Sequence, residues 1–290
     1  MSQSSPGLYR LYHSPAGRSL LKILTAPPLS RAAGAFLDTR ASVCLIRPFV
    51  SHANICLSDY EQRSFHSFND FFTRRLAPGV RTVDHTPDAL IAPCDGNLSI
   101  YPIREGMVVP VKGVPYSIAG LLRSKALADR LEGGLCLVFR LCVDHYHRYA
   151  FFDSGRLLRR YQIPGILHTV RPVALEARPV FVENTRAVSL MQTDHFGQAV
   201  QVEVGAMLVG RIHNHAGITH FARGDEKGYF EYGGSTVVLL LQRDACTMDA
   251  RFPLGGAERP VRFGEAIGHA PSDDFCSLKG SRSLHASKNP

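Results

Sequence analysis

Tyr232-Gly233-Gly234-Ser235-Thr236-Val237-Val238-Leu239-Leu240-Leu241 is the stretch on which the fold turns. Thr236–Leu241 is a β-branched and aliphatic run of strand length, so it predicts a strand buried on both faces. The two glycines ahead of it predict a turn. Two other segments read alike. Leu135–Val143 is a nearly continuous apolar run broken by Arg140, and residues 199–209 alternate, with Val200, Val202 and Val204 set against Gln201 and Glu203. Gly and Pro punctuate the intervals from about residue 90 onward. A β-rich, mostly antiparallel core domain over residues 81–270 is therefore expected.

Ahead of the core the texture is helical. Leu20–Leu24 is apolar with Lys22 inside it, and Pro27 and Pro28 break that pattern. Ser30 is placed to cap a segment running to about Asp38. Ala41–Val50 carries Val43, Leu45, Ile46 and Phe49, interrupted by Arg47 and Pro48, and Ser67–Leu76 sets Phe68, Phe71 and Phe72 on roughly one face. Residues 1–80 hold nine Lys/Arg against four Asp/Glu. Short basic amphipathic helices of this kind lie in a bilayer interface or pack on the main domain, and the pattern fits both. The fold class is α+β, with N-terminal amphipathic helices over residues 1–80. Residues 271–290, polar and rich in Ser and Lys, read as a disordered tail.

The composition narrows the function classes. The chain of 290 residues is 45% hydrophobic, enough for a substantial core, and 20% charged, which excludes a disordered polyelectrolyte. The net charge of +8 suits an anionic partner, either nucleic acid or an acidic membrane surface, and does not choose between them. The seven cysteines are odd in number and contain no C-x-x-C, so reduced core thiols of a cytosolic setting are expected. No apolar run is long enough for a transmembrane helix, and no secretory signal core is read at the N-terminus. A membrane, if met, is met at its surface.

Three short motifs carry chemistry: Pro93-Cys94-Asp95-Gly96, His145-Tyr146-His147-Arg148 and Gly233-Gly234-Ser235-Thr236. Each alone has a plain reading, as a turn, a pair of strand histidines and a second turn. Together they offer Asp, His and Ser in the order of an activated serine, although Ser235 is not in a G-x-S-x-G elbow. Gly234 lets a hydroxyl approach its carbonyl closely. A serine after such a glycine, with a base nearby, can attack its own preceding peptide bond. The amide becomes an ester, elimination leaves dehydroalanine, and hydrolysis leaves a pyruvoyl group.

The run from Gly224 through Tyr232 to Thr236 resembles the self-cleavage site of the phosphatidylserine decarboxylases, in the bacterial branch with Gly-Gly-Ser-Thr. Ser67-Phe68-Asn69-Asp70-Phe71-Phe72-Thr73-Arg74 is similar to the family's N-terminal signature, and Ala92–Gly96 to its P-x-D-G turn. Lys112-Gly113, Tyr146-His147-Arg148, Pro164-Gly165, Asn184 with Arg186, Val204-Gly205-Ala206 and Gly264-Glu265 follow in order, so the resemblance spans roughly residues 8–270. It implies a proenzyme cut between Gly234 and Ser235 into a larger chain to 234 and a smaller one from 235. Ser235 becomes the covalent pyruvoyl cofactor, which forms a Schiff base with the substrate amine and acts as an electron sink when CO2 leaves. Asp95 orients and charge-stabilises His147, and His147 is the base for cleavage and the acid for decarboxylation. The implied reaction turns phosphatidylserine, drawn from an anionic membrane surface, into phosphatidylethanolamine. The implied setting is the cytoplasmic face of the cell membrane, held peripherally and without nucleic acid; association of copies into a homo-oligomer is left open.

The chain departs from the family pattern at two positions. Ala150 stands where a second His is common, and His145 where Asp is usual. His168, in the Pro164–Pro179 segment, stands where an aromatic is common, and reads either as a head-group contact or as a surface histidine. Three rival readings are a zinc site from His145, His147, His213 and His215, a serine hydrolase, and a catalytically silent lipid-binding relative of the same fold.

Overall fold

Ser235–Leu241 is a strand in the computed structural model, with all seven residues buried. The structure describes residues 27–61, 63–104, 108–111, 114–166, 168–169, 174, 180–206, 211–233 and 235–271, together with 9, 10, 14, 17, 19 and 20. Gly234, Lys112-Gly113, most of Leu20–Leu24 and the tail from 272 lie outside the described residues.

In chain order the strands are β1 (Ala89–Ile91), β2 (Gly96–Pro102), β3 (Val108–Val111), β4 (Val114–Ser117), β5 (Leu135–Leu141), β6 (Arg148–Ala150), β7 (Gly155–Ile163) and β8 (Arg186–Thr193). They continue as β9 (Gln198–Val204), β10 (Ile212–Asn214), β11 (His220–Phe221), β12 (Glu226–Phe230), β13 (Ser235–Leu241), β14 (Thr247–Met248), β15 (Arg259–Val261) and β16 (Ala266–His269). Eight of them form one sheet in the order β11-β7-β8-β9-β13-β5-β2-β15. Its neighbours pair antiparallel throughout. Two three-stranded sheets, β1-β16-β14 and β10-β12-β6, and the β3-β4 hairpin complete the β structure. The expected α+β class with a mostly antiparallel, β-rich core is the observed one.

The large sheet is covered on both faces, which is why β13 reads as a continuous apolar run. On one face Val238, Leu240, Val200, Val202 and Val138 pack with Leu121, Leu122, Val180 and Phe181. On the other, Val237, Leu239, Leu241, Phe139 and Leu141 pack with Tyr149 and Phe230 of the β10-β12-β6 sheet and Ile267 of β16. Each such aliphatic side chain contributes roughly 1.5–3 kcal/mol by leaving water.

The N-terminal helices start and stop differently from the sequence expectation. The segment expected to be capped at Ser30 starts earlier: Pro27 and Pro28 open the helix Pro27–Leu37, because first-turn residues need no N–H partner, and Ser30 lies inside it and not at its cap. Ala41–Val50 divides into a 3-10 turn, Arg40–Leu45, and a helix, Ile46–Ala53, with Pro48 inside the first turn of the latter. The helix expected over Ser67–Leu76 is shorter, Phe68–Phe72, with the Ser67 hydroxyl accepting from Asp70 N–H. Leu37, Phe68, Phe71 and Phe72 form a third core that also takes Phe49 and Tyr232.

Candidate active site

Strand register gathers the three sequence motifs at one end of the large sheet. Ser235, the first residue of β13, pairs with Leu141, the last of β5. The turn Cys142–His147 leaves β5 at that point and runs into β6. β2 pairs with β5 through Asn97 and Arg140, which brings the Pro93–Gly96 turn alongside. The Pro93 carbonyl accepts from Ala150 N–H at 2.8 Å. With side chains alternating along β13, Ser235 falls on the face of Val237 and Leu239, the side covered by the sheet that holds β6 and β12.

His147 is buried, 1% exposed. Its Nδ1 lies 2.9 Å from the His145 carbonyl oxygen. A carbonyl only accepts, so Nδ1 carries the proton and Nε2 the lone pair. Nε2 is buried and makes no hydrogen bond. Burial drives the His147 pKa down to about 3; the His145 carbonyl pulls it upward, and the Arg74 guanidinium pushes it down again. The Gly233 carbonyl lies close enough to the ring to favour the protonated form. The His147 carbonyl accepts from Phe230 N–H at 2.9 Å, tying the histidine to the strand that leads into the Gly233 segment. Phe72 covers the ring, with centroids 4.2 Å apart. His147 is thus a neutral, dry imidazole beside Gly233.

Ser235 is also buried, and its Oγ likewise has no hydrogen-bond partner. A hydroxyl left unpaired in a dry site is unfavourable by about 1–3 kcal/mol. Gly233 has φ 135°, a conformation that L side chains rarely adopt.

Asp95 is not placed on His147. Its carboxylate accepts two hydrogen bonds from Arg81, 2.9 Å from Nη2 and 3.3 Å from Nε, and a third from Phe263 N–H at 2.8 Å. The expected orienting bond is absent because the His145 carbonyl already occupies His147 Nδ1. The Asp95 charge is felt instead at His145, where burial lowers the pKa and Asp144 and Asp95 raise it. A cavity of about 290 Å³ opens here, lined among others by Tyr60, Arg81, Asp95, His145, Tyr146 and Arg262.

His168 is buried, with Nε2 3.1 Å from Glu183 Oε2, so it is not a surface histidine. Asn184 accepts from His168 N–H and donates to the carbonyls of His168 and Gly205, which ties His168 to the end of β9, the strand that pairs with β13. His213 and His215 are taken by Glu231 and Glu226 at 2.6 and 2.7 Å. Among the described residues the four histidines of the zinc reading do not converge.

Sequence reading missed a buried ion pair behind the site. Lys227 of β12 donates to Glu203 of β9 at 2.8 Å and to Asn214 at 2.6 Å, with Lys227 1% and Glu203 0% exposed. It pins β12 to the large sheet. Removing one partner of such a pair is unfavourable by about 3–5 kcal/mol.

Comparison with known proteins agrees with this geometry. Residues 68–269 match the family Phosphatidylserine decarboxylase. The chain is 40% identical to phosphatidylserine decarboxylase proenzyme 2 of Clostridium acetobutylicum over 262 residues, 89% of this chain and 90% of the relative. It is 38% identical to the phosphatidylserine decarboxylase proenzyme of Clostridium perfringens over 267 residues, 89% and 91% of the two chains. It is 40% identical to that of Desulfitobacterium hafniense over 266 residues, 89% of each chain.

The chain belongs to the phosphatidylserine decarboxylase family. It is an enzyme of that decarboxylase type, and its named relatives are proenzymes. The family match begins at Phe68, so the short helix that covers His147 is part of the decarboxylase itself.

Proposed function

We propose that the chain is a proenzyme that cuts itself between Gly234 and Ser235, turns Ser235 into a pyruvoyl group, and then decarboxylates phosphatidylserine to phosphatidylethanolamine. The observation that carries this reading is the pairing of a buried, neutral, unpartnered His147 Nε2 beside Gly233 with a buried, unpartnered Ser235 Oγ. In the uncut chain His147 Nε2 accepts the hydroxyl proton of Ser235. Oγ adds to the Gly234 carbonyl carbon, and the C–N bond breaks to leave an ester and the free amine of Ser235. Loss of the Ser235 α-proton then expels the Gly234 carboxylate and leaves dehydroalanine. Water adds, ammonia leaves, and a ketone remains at the new N-terminus.

The residues present suit such a group, since the position that would carry it is buried at a strand end, where a ketone is shielded from water. The pyruvoyl ketone supplies an electron sink for the carbanion formed when a carboxylate is lost. His147 Nε2 moves the proton that the product carbon takes up. Arg81 and Phe263 N–H hold Asp95, whose charge supports His145. His168, fixed by Glu183 and Asn184, is proposed on the substrate side of the same strand end.

The N-terminal helices are proposed to hold the enzyme peripherally on the cytoplasmic face of an anionic membrane. Phe36, Val43, Leu45 and Leu57 are exposed there, beside exposed Arg40 and Arg47. No helix among the described residues is long and apolar enough to cross a membrane.

Ser235→Ala removes the attacking oxygen. The variant is expected to run as one uncut chain without decarboxylase activity, and its processing at position 235 would contradict the proposal.

A further inference from the structure

Asn69 reaches Tyr232 across 163 residues of sequence. β12 ends at Phe230 and the Glu231 N–H still bonds the Arg211 carbonyl, so Tyr232 is the first residue past the strand whose N–H needs a partner from elsewhere. The Asn69 side-chain oxygen accepts from Tyr232 N–H at 3.3 Å, and its amide nitrogen donates to Asp38 Oδ1 at 2.7 Å. Asp38 Oδ2 in turn meets Arg211 Nη1 at 2.9 Å, and the same Arg211 nitrogen lies 3.2 Å from Glu231. Two polar paths from Asp38 thus hold the two residues ahead of Gly233. Around them the rings of Phe68 and Phe72 stand edge-on to Tyr232, at 5.0 and 5.1 Å.

The helix that presents Asn69 is itself firmly seated. Ser67 caps it, the Ser42 hydroxyl accepts from Phe68 N–H at 2.8 Å, and Arg148 Nε donates to the Thr73 carbonyl at 2.8 Å. Arg148 follows His147 directly, so one short helix is bound to both the base and the segment to be cut.

We infer that Asn69 is a positioning residue for self-cleavage, with Asp38 as its anchor. The inference rests on the self-cleavage reading above. Attack by Ser235 on its own preceding carbonyl requires the backbone there to be held away from ordinary strand geometry, and glycines left to themselves sample many conformations. Asn69 fixes the chain one residue before the glycine pair.

The test follows the conversion of freshly translated full-length chain into its two products, for the wild type, Asn69→Ala, Asn69→Asp, Asp38→Asn and the double variant Asn69→Asp/Asp38→Asn. Thermal midpoints are measured in the uncut Ser235→Ala background. Asn69→Ala is expected to slow cleavage at least about tenfold, with a midpoint within about 4 °C of its parent. Asn69→Asp sets two carboxylates together and is expected to be slow. Adding Asp38→Asn restores the bond with donor and acceptor exchanged, and the double variant is expected to cut faster than either single one. Wild-type speed in Asn69→Ala, no recovery in the double variant, or a slow rate that goes with a collapsed midpoint would each overturn the inference. A wild-type chain that stays whole would remove the self-cleavage reading and this inference with it. A wild type that cuts beside an unaffected Asn69→Ala would strike the inference alone.

Discussion

His147 Nδ1 is committed to the His145 carbonyl, and burial keeps Nε2 neutral. The consequence is a pH dependence unlike that of an open histidine. A base works in its unprotonated form, and a pKa pushed down to about 3 leaves that form dominant well into acid. Self-cleavage rates measured between roughly pH 5 and 8 should show no inflection near the ordinary histidine value of about 6.5. Loss of rate on falling through about 6.5 would assign the base to a more exposed histidine. The stability sign agrees: the unfolded chain gains a proton on His147 below about 6.5, and the folded chain does not until about 3, so this residue withdraws stability as pH falls through that interval. The order of Asp95, His147 and Ser235 was legible in the sequence, as was their place in turns and at a strand start. The partner of Asp95 was not. Arg81 lies 14 residues away in an irregular segment, and no periodicity links the two. Nor can a motif show that a backbone carbonyl two residues earlier takes the His147 nitrogen that a carboxylate was expected to hold. Ala150, where a second histidine is common in the family, is a buried residue of β6 here, so the imidazoles of this turn are those of His145 and His147.

Elements dominated by burial were readable, and those set by polar contacts were not. β5 and β13 announce themselves as nearly continuous apolar runs because both faces are covered, and β9 by its alternating valines. Lys227 in β12 looks like an exposed strand residue until its partner Glu203, 24 positions earlier, is brought against it. The helix Phe68–Phe72 was visible as an aromatic stripe, but its target Tyr232 was not, since that contact belongs to the tertiary fold. The N-terminal helices remained ambiguous in sequence between membrane and core, and the structure shows both inward-packed and exposed apolar residues there. Leu37, Phe49 and Val50 pack inward, while Phe36, Val43 and Leu45 are exposed. Replacing Phe36, Val43 and Leu45 with Ser should therefore weaken sedimentation with phosphatidylserine-containing vesicles. Replacing Arg40 and Arg47 with Glu should weaken it chiefly at low salt, because the attraction is screened over about 10 Å at 0.1 M. Unchanged binding in both sets would mean that this surface serves something other than lipid.

In the whole molecule Ser235 opens a strand inside the large sheet, so the proposed cut falls at the start of an inner strand. β13 sits between β9 and β5, β15 pairs with β2, and β16 with β1, so every sheet contact of the proposed smaller chain to residues before 234 survives the cut. Cleavage there would expose a new N-terminus inside a finished structure without releasing either piece. This is the arrangement a cofactor made from the chain itself requires: a buried residue at a strand end, a dry base beside it, and a scaffold indifferent to the broken bond. Intact-mass measurement of the purified, denatured protein addresses it most directly. The account predicts two polypeptides, residues 1–234 and residues 235–290, the smaller opening on a pyruvoyl carbonyl in place of the Ser235 amine. A single chain of 290 residues, or a smaller chain that begins with an unaltered serine, would contradict it.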